Sequence, residues 1–230
     1  MPIRLLPLAA LLLLPLSAAP PRVLAWNNEV AARELALVRG KEQVTLEGLH
    51  PSKRSPAIRL RGEGKIFLRA LDRSSDENPV VQRECAIGEG LTHPLLILMP
   101  AEKDPTGLRI VVFNDDPAGF RWGSYRFLNA TPKPLALRLE NEAVRLASGW
   151  KATDIRLSGK TRGVGAMIAA QDNLKKPLYS AVWEHDPDTR TLCFIVPGTD
   201  PRLGPIEIKA VPETRTGFEL DQREGRAEAP

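Results

Sequence analysis

The feature that most constrains this chain is that it carries one pattern twice. Residues 35–46 read LALVRGKEQVTL and residues 135–146 read LALRLENEAVRL, with six identities at an offset of 100. Beyond them the offset becomes 97, and Ile58-Arg59-Leu60 and Gly62 match Ile155-Arg156-Leu157 and Gly159. The change of three falls between Gly48 and Pro56 in one copy and between Ser148 and Thr153 in the other, where a loop absorbs it. Pro79 then aligns with Pro177, Pro100 with Pro197, and Asp104-Pro105 with Asp200-Pro201. Collinear matches of this kind predict two diverged copies of one unit, each bound to the same fold.

Each copy reads as about seven short strands. They fall near 34–39, 42–47, 57–61, 65–70, 80–86, 94–99 and 107–113, and again near 134–139, 142–147, 153–157, 164–170, 177–184, 190–196 and 204–211. Leu35 and Leu37, Val44 and Leu46, and Ile58 and Leu60 share faces at period two. Arg39-Gly40, Glu140-Asn141 and Asp186–Thr189 supply turns. Helical periodicity with caps is absent except over Asn27 to Val38, whose second half the repeat assigns to a strand. The expected fold is all-β: two tandem, internally duplicated, seven-stranded immunoglobulin-like sandwiches. Ser124–Asn129 adds a strand that either opens the second module or bridges to the first. The sixth strands, Leu95–Met99 and Leu192–Val196, are apolar on both faces, so their outward side chains need a cover. That cover is the other module, a partner protein, or the module's own loops.

The first 25 residues have the form of an export signal. Met1 and Arg4 precede an apolar run from Leu5 to Leu16, too short for a bilayer that needs about 20 residues. Val23-Leu24-Ala25 offers small residues for cleavage before Trp26, whereas cleavage after Ala19 would leave Pro20 first. The organisation expected is a signal peptide at 1–25, modules at 26–118 and 119–212, and a disordered charged tail at 213–230. The linker from Asn114 to Gly123 is polar and reads as a spacer between the modules. The protein is expected in the periplasm or outside the cell, with no membrane span in the mature chain. Without Arg4 and Arg22 the chain has 30 basic against 28 acidic residues, interspersed, which argues against nucleic-acid binding.

Catalytic constellations are hard to assemble from this composition. The three histidines are His50, His93 and His185. Glu184-His185-Asp186 resembles a base with carboxylates, but neighbours on a strand point to opposite faces and a turn explains the cluster better. Asp115-Asp116 is readable as a Ca²⁺ site or as part of the polar linker, and the linker is the better account. Neither a catalytic residue, a metal site nor a cofactor is assigned. Trp122, Tyr125 and Trp150 are the candidate ligand-binding residues, as a sugar platform. For Phe120, Trp122 and Tyr125 the competing role is packing of the module junction. Cys85 and Cys193 lie in strands of different modules at non-equivalent positions, which favours buried thiols over a disulfide between them.

The stretch Tyr125-Arg126-Phe127-Leu128-Asn129-Ala130-Thr131-Pro132 resembles the opening of small immunoglobulin-like β modules in bacterial exported proteins. That resemblance covers fewer than twenty residues and implies a sandwich outside the cytoplasm, with no catalytic residues to carry over. The functional expectation is a non-catalytic envelope protein that binds or scaffolds a protein or a cell-envelope polysaccharide. The alternative is a carbohydrate-binding module, and a hydrolase ranks third.

Overall fold

The structure, a computed structural model, describes residues 19–200, 202 and 204–227. Most of the leader expectation (residues 1–18) lies outside them. The described residues are predominantly β and build four sheets. In the first half β1 (Arg22–Ala25), β6 (Pro94–Pro100) and β7 (Leu108–Asn114) form one sheet in the order β1-β6-β7. Its companion has the order β3-β2-β4-β5, from β2 (Leu35–Arg39), β3 (Glu42–Thr45), β4 (Ile66–Ala70) and β5 (Gln82–Glu84).

In the second half β8 (Ser124–Asn129), β11 (Ala152–Arg156), β14 (Thr189–Pro197) and β15 (Ile206–Thr214) run in the order β11-β8-β14-β15. Opposite them β9 (Leu135–Leu139), β10 (Glu142–Leu146), β12 (Arg162–Ala170) and β13 (Asn173–His185) run in the order β10-β9-β12-β13. Both halves share one unusual pairing: the opening strand runs parallel to the penultimate one, β1 with β6 and β8 with β14. Ser124–Asn129 therefore opens the second module. In each four-stranded companion sheet the central strand precedes its edge partner in the chain, as β2 precedes β3. The immunoglobulin order places the edge strand A before the central strand B, so the strand order differs from that expectation.

The doubly apolar sixth strands find their cover in each other. On β6, Leu96 and Leu98 face the first module's core with Val23, Leu37 and Leu68. The alternate residues Leu95, Ile97 and Met99 join Leu24 of β1 in a separate cluster with Leu128, Leu192, Phe194 and Val211 of the second module. Cys193 and Ile195 point the other way, into the second core with Phe127, Leu137 and Ile168. The result is four stacked sheets separated by three apolar layers, the middle one shared. All of Leu95, Ile97, Leu192 and Phe194 are essentially inaccessible, and burying each such side chain is worth about 1.5–3 kcal/mol.

Three expectations change. Arg22–Ala25, assigned above to the leader, is a buried strand paired with Leu95–Leu98 at the centre of the stack. The linker does not hold the modules apart, because Asp115 and Phe120 are buried between them. The charged tail is ordered where described: β15 continues to Thr214 and passes directly into helix α2 (Arg215–Ala227). A short helix, α1 (Asn28–Ala31), also forms, because the Asn27 side chain accepts from the Val30 amide as an N-cap. The segment expected as a strand at 57–61 stays irregular in the first module, although its counterpart is β11.

Candidate functional site

A buried charge cluster lies at the module junction. Arg54 comes from a loop of the first module, Asp115 from the linker, Arg190 from β14 and Glu213 from β15. Arg54 grips Asp115 with two bonds, Nε to Oδ2 at 2.8 Å and Nη2 to Oδ1 at 3.2 Å. Arg190 donates to the other lone pairs, reaching Asp115 Oδ2 at 3.2 Å and Glu213 Oε2 from Nε at 2.7 Å. Arg22 of β1 reaches Glu213 at 2.6 Å and Asp221 of α2 at 3.4 Å. Three guanidiniums thus face three carboxylates, and the assembly is electroneutral. Burial alone pushes the Asp115 carboxyl upward, yet the charges of Arg54 and Arg190 outweigh it and hold it below the ordinary range. Arg190 is further enclosed by the rings of Trp122, Phe120 and Phe218, at 5.0, 5.2 and 5.5 Å. With each buried charge paired to one of opposite sign, this cluster acts as a structural lock. Sequence reasoning missed it, because its members are up to 199 positions apart and share no motif spacing.

The aromatic candidates separate. Tyr125 is buried in the second core beside Phe127 and Trp183, and its hydroxyl donates to the Glu184 carbonyl at 3.0 Å. Burial pushes that hydroxyl up to about 12. Trp150 packs against Trp26 and Phe194 in the shared layer. Trp122 meets Phe218 of α2 edge-on at 5.7 Å. Each therefore packs against a different set of neighbours, and the three do not make one flat platform. Cys85 and Cys193 are free thiols buried in two different cores, so the disulfide is not formed. Burial raises both thiols, Cys85 to about 12.

The histidines do not converge either. His50 accepts from the Ser52 amide, and His93 stands 3.6 Å from Asp116. His185 is fully buried while Glu184 is exposed, as strand alternation requires. Among the described residues no group of three or more His, Cys, Asp or Glu side chains is placed to hold a metal ion.

A groove of about 1220 Å³ opens in the first module. Val44, Leu46, Ile58, Leu60 and Ile66 contribute its apolar floor, and Arg39, Glu42, Arg59, Arg61 and Lys65 its charged rim. Its origin is a local difference between the modules. In the second, β11 pairs with β8 along five residues, and Ile155 and Leu157 are buried in the core. In the first, the matching segment holds β1 through only two backbone bonds, Ser55 to Val23 and Ile58 to Pro21, both 2.8 Å. Ile58 and Leu60 are then only half-buried. Among the described residues the amides of Ala57, Arg59 and Leu60 donate no backbone hydrogen bond. An apolar floor beside backbone amides that meet no backbone acceptor among the described residues suits an extended chain better than a compact small molecule.

No protein-family model matches the chain, and the search of curated proteins returned no match. Among the described residues no helix is long and apolar enough to cross a membrane.

Proposed function

We propose that this is an exported, non-catalytic protein that holds an extended segment of a partner protein in the groove of its first module. The groove between Val44, Leu46, Ile58 and Leu60 carries this reading. The second module serves as a rigid mount, fixed by the shared apolar layer and the buried ions. The corresponding orders β3-β2-β4-β5 and β10-β9-β12-β13, and β1-β6-β7 against β8-β14-β15, support an origin by duplication in which only the second copy has a regular strand at the β11 position. Scaffolding through the sixth strands is no longer available, since they are spent on each other.

Export rests on the leader-like residues 1–18 and their neighbours. The fold supports a cleavage point ahead of Arg22, because a cut after Ala25 removes a core strand and one of three cluster arginines. Intact-mass measurement of the processed protein should find residues 22–25 retained.

The binding test is crosslinked capture from native cell envelope with the full processed chain and a Leu60→Glu variant. One dominant protein, retained by the wild type and lost in L60E with unchanged thermal unfolding, supports the groove. Retained polysaccharide without protein moves the carbohydrate reading first. Equal retention by both forms, or none by the wild type, sinks the proposal.

A further inference from the structure

We propose that β13 is a dimerisation edge, pairing antiparallel with β13 of a second copy about a two-fold axis at Val182. β13 is the outer strand of its sheet and spans Asn173–His185, 13 residues. Most of the other outer strands are short, guarded or enclosed: β1 has four residues, all buried, and β7, the longer edge of that sheet, carries Arg109 and is half-buried from Ile110 to Asn114. β5 has three residues, Gln-Arg-Glu, and β3 has four. β10 and β11 have five each, with Glu142 and Arg145 on one and Asp154 and Arg156 on the other. β15 carries Lys209, Pro212 and Glu213. Such features are how edges avoid adventitious pairing.

On β13 the guards stop halfway. Lys175, Lys176 and Pro177 occupy the first part, where the pairing to β12 is interrupted by register shifts. From Tyr179 to His185 the pairing is regular, and the only charge is Glu184. Val182 is 77% exposed, the most exposed of the large apolar residues among those described. It stands beside Gly163, which leaves the outer face of the neighbouring strand bare.

The strand's own sequence selects a second copy as occupant. Antiparallel pairing centred on Val182 sets Val182 against Val182, Ala181 against Trp183, Ser180 against Glu184 and Tyr179 against His185, each of the last three made twice. Small residues meet large ones, no like charges are opposed, and valine meets valine on the open face. Continuing outward, Lys176 of each copy reaches the Asp186–Asp188 turn of the other, where Asp188 is exposed. The same edge is used by both copies, so the contact is isologous and closes as a dimer with no open edge for growth at that contact. This inference is independent of the groove, which lies in the other module.

Sedimentation equilibrium of the full processed chain tests it, with three variants. The wild type is expected to be a dimer and Val182→Lys a monomer with the same thermal midpoint. Val182→Cys should give a covalent dimer on mild oxidation, since the native Cys85 and Cys193 are buried. Lys176→Glu should weaken the dimer, and mixing it with Asp188→Lys should restore a heterodimer. A wild type monomeric at every concentration overturns the proposal, including one that captures a foreign strand at this edge. So does a dimer that V182K leaves intact and V182C fails to crosslink.

Discussion

At the scale of single residues, the junction shows how buried charge is tolerated when every partner is present. Arg54 and Arg190 are almost wholly inaccessible, and both depend on Asp115 and Glu213. Removing one member strands the others, a loss of about 3–5 kcal/mol for a buried pair. Asp115→Asn should therefore lower stability by that order in urea unfolding, whereas Asp200→Asn, whose ion pair with Arg202 is exposed, should change little. His185 is a second buried polar residue, and neither ring nitrogen has a hydrogen-bond partner. Burial, reinforced by the nearby Arg162 charge, holds its proton affinity below the ordinary histidine value, against opposing pulls from Asp186 and Glu140. Tyr125 packs its ring against the same site and offers no charge. The folded state thus keeps the ring neutral while the unfolded chain takes up a proton below about pH 6.5. Stability is full above that value and falls as pH drops through it. The urea midpoint should decline between about pH 7.5 and 5.5 in the wild type and stay nearly level in His185→Phe.

At the scale of elements, α2 closes the cluster rather than trailing from it. Phe218 lies across Trp122 and the guanidiniums of Arg22 and Arg190, and Asp221 supplies the third carboxylate. Truncation after Thr214 should expose Trp122, red-shift its fluorescence and lower stability. Phe218→Ala, half-buried in the wild type, should cost about 1–2 kcal/mol, less than a full core truncation. A truncated protein with unchanged fluorescence and melting would show that the helix adds nothing to the lock. The β11 position illustrates the same dependence on context. Ile58-Arg59-Leu60 and Ile155-Arg156-Leu157 are nearly one sequence, yet only the second becomes a regular strand. Pro56 limits the first, since it lacks an amide for the ladder and restricts Ser55 before it.

At the scale of the whole molecule, the two sandwiches are one cooperative body. Leu24, Leu95 and Ile97 of one and Leu128, Leu192 and Phe194 of the other share an apolar layer, and the ions span the same seam. Small domains are marginal alone, so each borrows stability from the seam. Calorimetry should give a single transition with equal calorimetric and van't Hoff enthalpies. Two resolved transitions would mean the modules fold independently. Phe194→Asp, at the centre of the layer, should destabilise both halves together.

The alternation and repetition of apolar residues were enough to place thirteen of the fifteen strands among the described residues to within a few residues, and to mark Ser124–Asn129 as a fourteenth. They did so because period-two burial is a local property of the chain. The both-faced apolarity of Leu95–Met99 likewise signalled a covered strand, though not its cover. Val23-Leu24-Ala25 carried two local meanings at once, small residues for a protease and apolar residues for a core, and the pairing with β6, which local sequence does not reveal, is what makes them a core strand. The ion lock, the scattering of Trp122, Tyr125 and Trp150, and the open groove depend on which distant segments meet. Charge matching and inter-sheet spacing are set by three-dimensional neighbours, so no reading of spacing along the chain reaches them.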